Sequence, residues 1–287
     1  MKILFQNAAV LDADSGGEIR DVLVEGETIQ VVGKGLTAPD AAVLDCRGKT
    51  LMPGFIDSHV HMACFGLPEE NAARAFAENG VTAVRDMGIL GQLELEPHMA
   101  WIRAHQDPEF TEILTVGRYI DVAGGYGMGP EPDMAWGLEV TDPRSATARV
   151  EYQADAGVHG IKIGLQDWFV DAPKLSPACI RAITEAARRR GLWSTAHIGN
   201  TADLRMVVEC GIGSAAHTPR DQTMEGGLIG LMVERGVPMT TTLGDPAETA
   251  AAEHIPPMYE SRHAYYEAEL RARDVMLENL RRFHEAG

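Results

Sequence analysis

The chain has 287 residues, 45% apolar and 23% charged, which allows one large globular domain and excludes a disordered or fibrous protein. Its formal net charge of -17 argues against nucleic acid as a partner, because that affinity comes mainly from Lys and Arg neutralising phosphates. No apolar run approaches the roughly 18–20 residues that span a bilayer, so a small molecule is the expected ligand and no membrane is.

The first residues, MKILFQNAAVLDADSG, lack the apolar stretch and cleavage site of a signal peptide. Residues 1–50 read as a small β unit: short runs of alternating apolar and polar residues, as in DVLVEGETIQVVG, broken by Gly and Asp turns. From Leu51 the rhythm changes to short apolar strands alternating with helical stretches, the pattern of β/α units on a parallel sheet. The expected strands are LMPGFIDSHVH, VTAVRDMG, EILTVGRYI, GIKIGL, WSTAHI, SAAHTP and PMTTTL. Helical patterns such as ENAARAFAENG, PRSATARVEYQADAG and SPACIRAITEAARRRG lie between them, several closing on a Gly suited to a left-handed cap. A long charged helix is expected from about Tyr259. The Gly- and Pro-rich segment from Asp121 to Thr141 follows the third strand, and loops after strands form the catalytic face of a parallel barrel, so it is a candidate substrate loop.

Cys46, Cys64, Cys179 and Cys210 are scattered without CxxC spacing, which fits reduced structural thiols and a cytoplasmic protein. His59 and His61 sit two apart on an expected strand, so both imidazoles face one side, as metal ligands at a strand's end would. Lys162 in GIKIGL is flanked by Ile161 and Ile163, which claim the helix-facing side and turn the lysine inward. An unpaired inward ammonium costs several kcal/mol or loses its proton. A neutral amine can react with carbon dioxide to give an anionic carbamate. The alternative is a lysine salt-bridged inside the barrel. His197 and His217 fall near the ends of the fifth and sixth strands with the same inward parity, whereas His98, His105, His159, His254, His263 and His284 fall on helices, turns or loops and read as structural or solvated.

The ordered set PGFIDSHVH, GIKI, AHI and AHTP resembles the metal-dependent amidohydrolase superfamily, and the leader resembles the small β-sandwich that precedes its barrel. Lys162 together with GVTAVRDMG looks most like the imidazolonepropionase-related and prolidase-like branch, which includes Xaa-amino-acid dipeptidases. The resemblance implies an α/β fold of (β/α)8 TIM-barrel type over residues 51–287, with residues 1–50 as part of the sandwich. It implies that His59 and His61 bind one metal ion and His197 and His217 a second, with carboxylated Lys162 bridging two zinc ions. Lys162, His197 and His217 are also the expected catalytic residues.

Where relatives often carry GGH, this chain has Gly124-Gly125-Tyr126, so Tyr126 is an expected substrate contact, as is Arg220 three residues beyond His217. The resemblance also implies an aspartate at the end of an eighth strand, and no match for it is present; Asp245 is a possible stand-in. The expectation is therefore an incomplete copy of a longer enzyme. It would hydrolyse a dipeptide or N-acyl amino acid and form a homo-oligomer. A cyclic-amide hydrolase and a non-catalytic barrel scaffold with a decayed site are the alternatives.

Overall fold

The computed structural model describes residues 1–13, 16–63, 69–91, 93–128, 136–165, 172–244 and 260–287. The chain divides into two compact units, Met1–Phe55 and Ile56–Gly287. In the first, β1 (Lys2–Leu11), β2 (Gly16–Glu25), β3 (Thr28–Gly33) and β4 (Ala42–Asp45) form a sheet in the order β3-β2-β1-β4, and β5 (Thr50–Leu51) also pairs with β1. Strand alternation buries Ala8, Val10 and Val22 together, with Phe5, Val24 and Leu51 packed against them.

The second unit is α/β. Strand β6 (Phe55–Val60) starts at the boundary, followed by α1 (Glu69–Glu78), β7 (Val81–Asp86), α2 (Leu95–Ala104), β8 (Glu112–Thr115), β9 (Ile120–Asp121) and β10 (Leu138–Glu139). Then come α3 (Pro143–Ala156), β11 (Gly160–Gly164), α4 (Pro177–Arg189), β12 (Trp193–His197), α5 (Thr201–Glu209), β13 (Ser214–Ala216), α6 (Gly226–Arg235), β14 (Met239–Thr240) and α7 (Arg262–Ala286). One sheet has the order β6-β7-β8 and the other β10-β9-β11-β12-β13-β14. The pairings of β7 with β8, and of β9 through β14, are parallel.

Helix starts follow from local chemistry. Asp142 and Ser145 close a capping box at α3, Ser176 accepts from the Cys179 amide at α4, and Asn200 accepts from Asp203 at α5. Helix α2 was not expected from the sequence. Its Pro97 lies in the first turn, where a missing N–H removes no helix bond.

The segment EILTVGRYI, expected as one strand, is two, β8 and β9, which belong to different sheets. The chain turns at Gly117, whose φ is 67° and where an added Cβ would lie 2.5 Å from Gln153 Oε1. The Gln153 amide accepts from the Arg118 N–H at 2.7 Å and donates to the Arg118 carbonyl at 2.9 Å, replacing the ladder partners of that residue. The helical faces pack on the sheets through one core. Ile161 and Ile163 of β11 join Ile180 and Ile183 of α4 and Val207 of α5, so alternation turns Lys162 to the opposite face.

Candidate metal centre

His59 lies in β6 and His61 immediately after it. His61 Nδ1 is 2.8 Å from the Gly88 carbonyl. A carbonyl only accepts, so Nδ1 carries the proton and Nε2 keeps its lone pair. Gly88 is itself held from β7: Asp86 Oδ1 accepts from Gly88 N at 3.4 Å and from Met62 N at 3.1 Å. Asp86 is fully buried and also accepts from Thr115 Oγ1 at 2.7 Å, with His98 Nε2 at 3.2 Å. His98, read from sequence as structural or solvated, is thus a buried support two steps behind His61.

The rings of His59 and His61 are 5.6 Å apart between centroids, and those of His59 and His217 4.6 Å. The ring of His197, at the end of β12, is 4.2 Å from that of His217. His217 follows β13 with φ of 75°, in the left-handed region that disfavours a side chain, although its N–H still bonds the Thr240 carbonyl at 2.8 Å. Its Nδ1 is 2.6 Å from Thr242 Oγ1 and its Nε2 is 2.8 Å from His197 Nδ1. One of those two facing nitrogens therefore carries a proton and the other accepts it.

Lys162 is fully buried, and its Nζ has no hydrogen-bond partner among the described residues; the same holds for His59 Nδ1. Burial, then the nearby Arg85 guanidinium, pulls the Lys162 amine down to about 7, with Asp86 acting the other way. Burial likewise depresses the four imidazoles, aided by Lys162; His59 falls to about 2 and His217 to about 3. All four are neutral at physiological pH and offer lone pairs. Among the described residues, no three His, Cys, Asp or Glu side chains stand ready-arranged around an ion, since the rings lie against one another.

Tyr126 stacks on His197 at 4.0 Å between centroids. Tyr119, which sequence reasoning missed, lies 6.0 Å from Tyr126 and parallel to His61 at 6.4 Å, with Lys162 Nζ 5.6 Å from its ring. Asp121, also missed, is buried, and its carboxyl is pushed up to about 7 by burial against two backbone N–H bonds that lower it. Its place one strand over from Lys162 was a signal open to parity reasoning. Arg220 pairs with Glu269 of α7 at 2.5 Å, so its nearest carboxylate belongs to the protein. A cavity of about 230 Å³ borders His197, His217, Thr242, Arg220 and Glu269. Asp245, Cys64 and His254 lie outside the described residues.

The chain belongs to the Amidohydrolase family, whose model matches residues 50–287. It is 40% identical over 93 residues to a dihydroorotase of Geobacter sulfurreducens, a match spanning 30% of this chain and 22% of that protein. Against a dihydroorotase of Caldanaerobacter subterraneus subsp. tengcongensis the identity is 34% over 79 residues, 28% of this chain and 18% of that protein. The matches thus span about a fifth of the length of these curated relatives. The fold is similar to that of a prolidase complexed with N-methylphosphonate-L-proline, at 24% identity and a TM-score of 0.81, covering all of this chain and 76% of the prolidase. It is similar also to a Xaa-Pro dipeptidase with bound methionine, at 19% identity and 0.81, covering 100% of this chain and 77% of that one. No described helix is long and apolar enough to cross a membrane.

Proposed function

We propose that this protein is a metal-dependent amidohydrolase that cleaves the amide bond of a dipeptide or N-acyl amino acid. The observation that carries the reading is Lys162: a fully buried amine without a hydrogen-bond partner among the described residues, facing four imidazoles held neutral. A structural lysine would be expected to have an acid beside it, and this one has none bonded to it. The donor chemistry would suit zinc: His59 and His61 would hold one ion and His197 and His217 a second, with Lys162, as its carbamate, supplying anionic oxygens to both. The rings must turn about their χ angles to take the ions. The likeness of fold to a prolidase and a Xaa-Pro dipeptidase supports the (β/α) barrel and a dipeptide-like substrate, and the two parallel sheets are read as arcs of that barrel.

When bound, such ions lower the pKa of a water and polarise a carbonyl. The chain's own residues supply the rest. His61 is held in one tautomer by Gly88, so its Nε2 keeps the lone pair a metal ion would need. With its pKa lowered to about 7, Lys162 has a large neutral fraction near neutral pH, the form whose lone pair attacks carbon dioxide and then releases a proton to water as the carbamate forms. Tyr126 forms one wall, and the donors of Arg220 left over from Glu269 are offered to the terminal carboxylate of the substrate. Burial of the cluster excludes bulk water and strengthens each interaction within it.

A cyclic amide is the second reading, favoured by the likeness to dihydroorotases. Zinc-supplemented protein assayed on dipeptides, N-acyl amino acids and cyclic amides separates the two. Hydrolysis of a linear amide is the expected result, selective turnover of a cyclic amide supports the second reading, and turnover of none contradicts both.

A further inference from the structure

Asp121 closes β9 with its carboxylate folded back over the turn that follows. Oδ1 accepts from the Val122 N–H at 2.8 Å and Oδ2 from the Gly127 N–H at 2.9 Å. Between those two donors lies Tyr126. The turn packs around the carboxylate because it carries no side chains where the two meet: a Cβ on Gly125 would lie 2.5 Å from Asp121 Oδ1. On the opposite side is Gly164 of β11, two residues beyond Lys162. A Cβ there would lie 3.0 Å from Asp121 Oδ2 and 3.0 Å from Tyr126 Cβ. Carboxylate and tyrosine thus rest together on the bare backbone of the strand that carries Lys162, and from that seat the Tyr126 ring reaches His197 at 4.0 Å with 23° between the planes.

We propose that Asp121 is a positioning residue: its carboxylate clamps the Gly125–Gly127 turn and thereby holds the Tyr126 ring against His197. The alternative, that the ring is held by its own packing and Asp121 merely satisfies two amides, predicts that the ring stays when the carboxylate goes. One oxygen accepts from Val122, next to Asp121 in the chain, and the other from Gly127, so the second bond is the one that ties down the turn carrying Tyr126. The proposal deepens the hydrolase reading, and rests on it for its kinetic consequence alone.

The test reads the His197 ring protons by NMR in histidine-labelled, metal-free protein, where a stacked phenol shifts them upfield. Tyr126→Ala should move that resonance downfield. Asp121→Asn, which presents an amide N–H to one of the two backbone donors, should move it in the same direction. It should have no further effect in the Tyr126→Ala background. Gly125→Ala serves as a second variant, since its Cβ displaces the carboxylate from the other side without removing it, and the same shift is expected. With zinc and an amide substrate, Asp121→Asn should lower kcat/KM by about tenfold, the loss of one backbone hydrogen bond, and again be silent beside Tyr126→Ala. A wild-type His197 resonance in both Asp121→Asn and Gly125→Ala overturns the proposal. Failure of wild-type protein to hydrolyse any amide would count against the hydrolase reading, while the resonance still decides the clamp.

Discussion

His61 is fixed by Gly88, whose carbonyl oxygen lies 2.8 Å from its Nδ1. Neither residue is anchored by itself: Asp86 ties down Gly88 N and Met62 N, and is in turn held by Thr115 and His98. Groups behind a metal-binding histidine typically change metal affinity by about 10–100-fold when removed. Asp86→Ala should do so here. It should also destabilise the fold by about 3 kcal/mol, because it strands buried donors and a buried imidazole. Zinc titration and chemical denaturation measure the two effects; unchanged zinc affinity in a folded Asp86→Ala protein would contradict this role.

The left-handed backbone of His217 gives a prediction that separates strain from ligation. At φ of 75°, Asn is tolerated better than Ala, by about 1 kcal/mol. His217→Asn should therefore denature at higher urea than His217→Ala in chelator, while both lose zinc affinity. Equal midpoints would mean that the conformation is not retained.

Burial and Arg85 lower the Lys162 pKa from 10.5 to about 7. Between these values the unfolded chain holds the proton and the folded chain does not, so stability falls as pH falls from about 10.5 to about 7 and levels off below, where both forms are protonated. In metal-free buffer depleted of carbon dioxide, Lys162→Met should be more stable than wild type at pH 7, by roughly 2–4 kcal/mol. The gap should close towards pH 10. Melts at a series of pH values check this, and parallel curves for the two proteins would rule it out.

Much of this arrangement was legible in the sequence, and the limits have physical causes. Strand parity brought His59, His61, Lys162, His197 and His217 to one side, and the structure gathers their side chains in one cluster. Parity could not give the conformation of His217, because a left-handed residue just beyond a strand has no periodic signature. Tyr119 was hidden by the reading of EILTVGRYI as one strand, and Asp121 by its place at the head of a segment read as a loop; the turn at Gly117 depends on the Gln153 amide, which is 36 positions further along the chain and invisible to local pattern. His98 was read as structural or solvated, and a helical histidine alone could not show which, because it says nothing of the buried Asp86 it faces.

The metal centre is tested most directly by the zinc content of purified protein, for wild type and Lys162→Ala side by side. Wild type should hold about two equivalents, as two-metal hydrolase sites do, and Lys162→Ala should be emptied or weakened, with short carboxylic acids partly restoring activity. A wild-type protein that takes up no zinc, or a Lys162→Ala protein with full metal content and full rate, would contradict the assignment.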